Sequence, residues 1–288
     1  MPELPEVENL RRGLEKKVLG QKIKKIIIRR AKLVSGPGNL RVASKKKAKE
    51  FIRSLTGETI SRMDRRAKNL IFRFKSGKIL LAHLKMSGQF IYKDDKPFSI
   101  KTPEGKHTHI IFELSKGTLF YNDIRTFGYL LYFPNEQALG KAAPFKDIGS
   151  EPLSAEFTPE YFCRALKNKK TNIKALLLGQ SAVAGLGNIY TDEALFAARI
   201  RPTRLALSLK PKEVNNLYSA IKKILLKTIQ LGGSSVDTYR LLDESRGSFA
   251  KEHKVYGRAG EKCLRCGSQL ISKKIAGRTT VYCPNCQK

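Results

Sequence analysis

Between residues 5 and 18 the apolar positions Val7, Leu10, Leu14 and Val18 recur at intervals of three and four, predicting a helix with one apolar stripe. Pro5 suits its first turn, and Glu6 and Glu8 suit the positive end of its dipole. From about residue 22 to 133 the texture changes to short β segments. "NLIFRF" (69–74) alternates, with Leu70, Phe72 and Phe74 on one face, and "KILLAHL", "GQFIY", "HTHIIFEL", "TLFYND" and "GYLLYF" follow at turn-punctuated spacing. Several such strands predict a sandwich or barrel, interrupted by a short helix around Lys46–Leu55. After the Gly-, Pro- and Ser-rich stretch 133–154 the pattern becomes helical. Helices are expected at 159–170, in "NIKALLLGQ" and "NIYTDEALFAARI", and in "PKEVNNLYSAIKKILLKTIQLGG", which ends on a Gly pair. Residues 234–252 read as a polar loop. The expected partition is a β domain over 1–137, a linker over 138–154, a helical domain over 155–252 and a terminal module over 253–288, an α+β chain.

Charge narrows the partner. The 288 residues hold 56 Lys plus Arg against 25 Asp plus Glu, a formal +31, and such an excess calls for a polyanion. Basic residues are spread through all segments, not gathered on one amphipathic helix, so nucleic acid is favoured over a membrane surface. The longest uncharged run, Ala175 to Thr191, is broken by Gly179, Gly185, Gly187 and Asn188 and is poor material for a membrane span. The opening residues lack the apolar core of a secretory signal, and a cytoplasmic location is expected. Five cysteines in that setting suggest metal before disulfide.

Four of them make a pattern. Cys263-x2-Cys266, then sixteen residues, then Cys283-x2-Cys286 is the spacing of a four-thiolate zinc site, with a β-hairpin between the pairs and Gly277 near its tip. With all four positions filled, the one Zn2+ expected here is structural. From residue 251 onward nine Lys or Arg face two Glu, so Arg278 is either a phosphate contact or a solvated turn residue. Cys163, beside Tyr161, Phe162 and Leu166, is expected to pack as an apolar side chain.

The opening "MPELPEVE" carries candidate chemistry. Once Met1 is removed, Pro2 presents a secondary amine whose pKa lies near ~8, against ~10.4 for lysine. Its attack on a sugar carbon gives an iminium, which acts as an electron sink. Glu3 could shuttle protons to the opened ring, and Glu6, one turn on, could orient the site. A helix entrance explains Pro5 and Glu8 but not Pro2-Glu3. "GLGNIYTDEALF" places backbone N–H groups and Asn188 at a helix start, either a phosphate cradle or an ordinary N-cap.

Together, "PELPEVE" (2–8), "RRAKNLIF" (65–72), "HLKMSG" (83–88), "NDIRTFG" (122–128), "GLGNIYTDEALF" (185–196), "VYGRAGEKCLRCG" (255–267) and "AGRTTVYCPNCQ" (276–287) resemble the bacterial formamidopyrimidine-DNA glycosylase family along essentially the whole chain. The resemblance implies two lobes: a β-sandwich with the N-terminal helix, then a helix–two-turns–helix domain with a zinc finger, DNA lying between them. It implies a monomeric glycosylase and abasic-site lyase acting on damaged double-stranded DNA, flipping out 8-oxoguanine or a formamidopyrimidine. Pro2 is then the nucleophile, Glu3 the acid/base partner, and Lys68 the binder of a phosphate beside the lesion. Met86 and Phe127 match wedge residues that fill the void, and Arg125 matches the residue that hydrogen-bonds the orphan cytosine. Asn188 and Arg278 match phosphate-gripping positions, and His83 and His109 could also reach phosphates. Residues 232–249 resemble a loop that closes over the extruded base, with backbone contacts from Val236, Asp237, Thr238 and Tyr239. Two residues depart from the family: Lys85 stands where glycine is common, and Thr126 where a second basic residue is usual. The competing readings are an endonuclease VIII-like enzyme for oxidised pyrimidines, whose opening is more like PEGPE, and a non-catalytic zinc-ribbon DNA-binding protein. Pro2-Glu3 with Lys68 speaks against the latter.

Overall fold

The structure is a computed structural model that describes residues 1–35, 43–94, 105–141, 145–236 and 239–288. Its chain divides into two compact units: residues 1–2, 6–146 and 234–247 form the first, and residues 3–5, 147–233 and 248–288 the second.

In the first unit, α1 (Leu4–Val18) buries Val7, Leu10, Leu14 and Val18, the stripe its spacing predicts. Among the described residues nine strands follow: β1 (Ile23–Ile28), β2 (Val34–Ser35), β3 (Ile60–Arg66), β4 (Asn69–Phe74), β5 (Ile79–His83), β6 (Gly88–Lys93), β7 (Thr108–Leu114), β8 (Thr118–Asp123) and β9 (Tyr129–Phe133). They form a four-stranded sheet of order β1-β7-β8-β6 and a five-stranded sheet of order β2-β9-β5-β4-β3. Side chains from both sheets meet in one core: Phe90, Phe112 and Tyr121 from the first, and Leu70, Phe72, Leu80 and Leu130 from the second. This is a sandwich, not a barrel. Helix α2 (Lys45–Leu55) adds Ala48, Phe51 and Leu55 to that core, and α3 (Glu136–Gly140) lays Leu139 over the outer face of the five-stranded sheet.

Register decides where the connections lie. Asn69 pairs with His83 and His83 with Tyr129, while in the other sheet Gly88 pairs with Asp123. The β3–β4 turn, the β5–β6 loop and the β8–β9 loop therefore gather at one end of the sandwich. Those three connections carry Lys68, Met86, and Arg125 with Phe127.

In the second unit, α4 (Pro159–Leu166), α5 (Ile173–Leu178), α6 (Asn188–Ala197) and α7 (Pro211–Gln230) pack around Phe162, Leu177, Leu195, Leu217, Ile221 and Leu225. Thr158 and Asn172 cap α4 and α5 by accepting hydrogen bonds from the backbone N–H of Tyr161 and Ala175. The helix expected over 159–170 stops at Leu166, because Lys167 leaves helical geometry and Asn168 takes a positive φ of 64°. The polar run that follows offers nothing apolar to bury. Cys163 is exposed, since Phe162 and Leu166 form the buried face of α4, so its expected packing is corrected. Strands β10 (Ile271–Ile275) and β11 (Arg278–Tyr282) make the terminal hairpin. Ala276 and Gly277 both have positive φ, the primed two-residue turn that matches strand twist.

Of the helical domain expected over 155–252, residues 155–233 and 248–252 fall in the second unit. Residues 234–247 group with the first unit, where Leu242 joins the sandwich core, and the earlier break falls between Lys146 and Asp147. No helix among the described residues is long and apolar enough to cross a membrane.

Candidate active site

Glu3 is 2% exposed, and its carboxylate sits on the N-terminus of α6. Gly187 N donates to Oε2 at 2.6 Å, Ile189 N to Oε1 at 2.9 Å and Tyr190 N to Oε2 at 3.4 Å. The N-cap of α6 is Gly187, which has no side chain to satisfy these groups, so Glu3 satisfies them from a distant part of the sequence. Leu4 N also donates to Gly185 O at 3.1 Å. Both glycines are needed for this approach. A Cβ on Gly187 would lie 2.4 Å from Cδ of Glu3, and one on Gly185, whose φ is +82°, would lie 2.7 Å from Cβ of Leu4. Of the N–H groups at this helix start, read either as a phosphate cradle or as an ordinary capped terminus, those of Gly187, Ile189 and Tyr190 donate to Glu3. Asn188 is not the N-cap. It is the first helical residue, and its Nδ2 donates to Thr279 O of β11 at 3.0 Å, leaving a second amide hydrogen for an external acceptor.

Pro2 is buried, and Met1 before it is 37% exposed. Glu6, also buried, holds the polar loop in the first unit: Ser234 N donates to Oε1 at 2.8 Å, and the Tyr239 hydroxyl donates to the Glu6 carbonyl at 3.1 Å. Burial, with the nearby Glu6 carboxylate, pushes the Tyr239 phenol up. Glu6 thus anchors the two ends of the segment 234–239. Val236 within it is exposed. Asp237 and Thr238 lie outside the described residues.

Lys68 is buried in the two-residue turn between β3 and β4, preceded by Ala67 at φ +52°. Arg65 fastens that turn, donating through Nη1 to Ala67 O at 2.8 Å and through Nε to Glu8 Oε2 at 3.2 Å. Beside it, Met86 is half-buried, Arg125 is exposed and Phe127 is 41% exposed, with the Arg125 guanidinium 4.8 Å from the Phe127 ring centroid. Lys85 and Thr126 both adopt φ +52°, a conformation that glycine takes most readily. Lys85 N is held by His83 Nδ1 at 3.0 Å. His109 is 9% exposed, and its Nε2 donates to Asp123 O at 2.9 Å. The neutral ring then leaves only an acceptor at Nδ1, so a phosphate contact needs the protonated ring, and burial pushes the His109 pKa down. Arg278 is exposed at the start of β11.

The four cysteines converge, with Sγ atoms all within 4.8 Å of one another; Cys263 and Cys286 are 3.9 Å apart and Cys266 and Cys283 3.5 Å. A tetrahedral ion with bonds of about 2.3 Å requires S–S separations of about 3.8 Å, so the donors fit zinc. Arg265 N and Cys286 N donate to Cys263 Sγ and Cys283 Sγ, orienting the thiolates.

Three supports to which the sequence motifs assign no role are made by buried acidic residues. Asp123, fully buried, accepts from the Ser87 hydroxyl at 2.6 Å and from Gly128 N at 2.7 Å, and Ser87 Oγ accepts from Arg125 N at 2.9 Å. Lys174 and Asp192 form a 2.6 Å ion pair with both side chains at 0% exposure, and Asp192 also accepts from Val281 N of the finger hairpin. Glu193 accepts from the N–H groups of Lys254, Val255 and Tyr256, tying α6 to the start of the terminal module. The signal for the last two was the acidic pair inside an otherwise apolar helix.

Three domain families match the chain: the formamidopyrimidine-DNA glycosylase N-terminal domain over residues 1–130, its H2TH domain over 148–240, and a zinc finger found in FPG and IleRS over 260–288. The chain belongs to the formamidopyrimidine-DNA glycosylase family. It is 40% identical over 288 residues to the formamidopyrimidine-DNA glycosylase of Carboxydothermus hydrogenoformans and 41% identical over 287 residues to that of Desulfitobacterium hafniense, each match covering 100% of both chains. A solved complex of a Lactococcus lactis FPG mutant with DNA containing Fapy-dG superposes with a TM-score of 0.87 at 39% identity, covering 100% of both chains. MutM in complex with DNA containing carbocyclic 8-oxo-G gives 0.86 at 38%, again with full coverage.

Proposed function

We propose that this protein is a base-excision repair glycosylase and abasic-site lyase that removes 8-oxoguanine and formamidopyrimidines from duplex DNA. The observation that carries the reading is the N-terminal Pro2-Glu3 pair, its carboxylate immobilised by three backbone N–H groups. With Met1 removed, the Pro2 nitrogen forms a bond to C1′ as the bond from C1′ to the base breaks, the base leaving with the bonding pair and taking a proton from water. Glu3 passes the proton shed by the Pro2 amine to the ring oxygen, opening the sugar to an iminium. The iminium acidifies C2′–H, so the 3′ phosphate leaves by β-elimination and the 5′ phosphate by δ-elimination. A one-nucleotide gap with phosphates at both ends remains.

Lys68 grips a phosphate beside the lesion, and Met86 and Phe127 fill the space the extruded base vacates. Arg125 presents fixed donors to the acceptors of the orphan cytosine. Asn188 and Arg278, with His109 when protonated, contact phosphates, and the backbone from Val236 to Tyr239 closes over the base. One structural zinc on Cys263, Cys266, Cys283 and Cys286 holds the hairpin that presents Arg278. The enzyme acts as a monomer on damaged double-stranded DNA.

Incubation with duplexes carrying one lesion tests the reading. An 8-oxoguanine opposite cytosine should be excised with the gapped product. Preferential cutting at an oxidised pyrimidine would assign the chain to the endonuclease VIII-like activity instead.

A further inference from the structure

We propose that Asp123 and Ser87 act as one positioning device that couples the two insertion loops, holding Met86, Arg125 and Phe127 ready before DNA arrives. The inference rests on the wedge roles given above. One loop carries Lys85, Met86 and Ser87; the other carries Ile124 through Phe127. The Ser87 hydroxyl joins them, donating to Asp123 Oδ1 at 2.6 Å while accepting from Arg125 N at 2.9 Å. The second carboxylate oxygen accepts from Gly128 N at 2.7 Å, closing the far side of the Arg125–Phe127 segment. The Asp123 carbonyl accepts from His109 Nε2 at 2.9 Å and from Thr126 N at 3.3 Å.

Two further observations point the same way. Lys85 and Thr126 each hold φ +52°, a conformation that a lysine and a β-branched residue keep only where surrounding bonds determine it. The Tyr121 ring also fills the junction: a Cβ on Gly88 would lie 2.6 Å from its hydroxyl, and one on Gly128 1.8 Å. Side chains that must enter a base stack gain from such preorganisation, because ordering them at the moment of insertion would otherwise oppose flipping.

The test compares Ser87→Ala, Ser87→Thr and Asp123→Asn with the wild type on three readouts. These are excision of 8-oxoguanine opposite cytosine or adenine, cleavage of a preformed abasic site in the same duplex, and thermal unfolding. Ser87→Ala should lose about tenfold in excision relative to abasic-site cleavage, as expected for loss of a buried hydrogen-bond bridge. Its cytosine-over-adenine preference should fall as well, and Ser87→Thr, which keeps the hydroxyl, should restore both. Asp123→Asn should resemble Ser87→Ala. Unchanged preference in Ser87→Ala, or equal loss of excision and abasic cleavage tracking a lowered Tm in every variant, would overturn the proposal. A wild type inactive on both substrates would instead overturn the glycosylase reading itself.

Discussion

The carboxylate of Glu3 caps a helix whose N-cap residue, Gly187, lies 184 residues later in the chain, accepting from Gly187 N at 2.6 Å. A candidate proton carrier is thereby fixed by α6, not by its own helix. The contact also explains the glycine, because a methyl group on residue 187 would overlap the carboxylate. Glu3→Gln should leave DNA binding largely intact and suppress excision, since it removes proton transfer while retaining most of the shape. Gly187→Ala should cost about 1–3 kcal/mol by overpacking and reduce excision through the displaced carboxylate. Binding titrations and single-turnover excision on the same variants separate the two effects.

The buried Asp192 gives the helical unit one source of pH dependence. Burial raises its pKa from 3.8 to about 7, against the opposing pull of Lys174. The folded state therefore binds this proton more tightly than the unfolded state does. Its contribution is most favourable below the unfolded pKa and declines as pH rises through about 7. Asp192→Asn should flatten that slope in denaturant unfolding at pH 5 and pH 8. It should also destabilise by about 3–5 kcal/mol at neutral pH, because a buried ammonium loses its partner.

Thr126 is strained at φ +52°, and asparagine accepts that conformation more readily. Thr126→Asn should stabilise the protein by about 0.5–1 kcal/mol in chemical unfolding, with opposite-base preference preserved.

The terminal module should bind one zinc per chain. A cobalt-substituted sample should show the thiolate charge-transfer bands of four sulfur ligands. Chelation, or Cys266→Ser, should unfold the hairpin and weaken DNA binding, because metal binding supplies the folding energy of so small a module. Full-strength DNA binding by metal-free protein would contradict this.

What could be read in advance depended on how local the signal was. The cysteine spacing and the α1 stripe are short-range patterns, and each places its own residues. Alternation in β4 announced a strand but left sandwich and barrel open, a choice settled by Phe90 and Phe72 meeting from separate sheets. Residues that meet only through tertiary contact gave no such signal. Gly185-Leu-Gly187 suggests a phosphate loop because glycines before a helix leave N–H groups exposed; the carboxylate that occupies them comes from residue 3. Likewise the polar run after α7 looked like an appendage of the helical region, yet Glu6 and the sandwich core claim its residues 234–247. Asp123 escaped notice because its place in "NDIRTFG" resembles a plain turn acid until Ser87 is seen beside it.

Borohydride trapping tests Pro2 as the nucleophile most directly. Reduction of the iminium formed on an 8-oxoguanine duplex should join enzyme to DNA covalently, and digestion should place the crosslink on Pro2 in protein lacking Met1. Pro2→Gly retains only a primary amine and should trap less. A crosslink on Lys68, or full excision by protein that keeps Met1, would contradict the assignment.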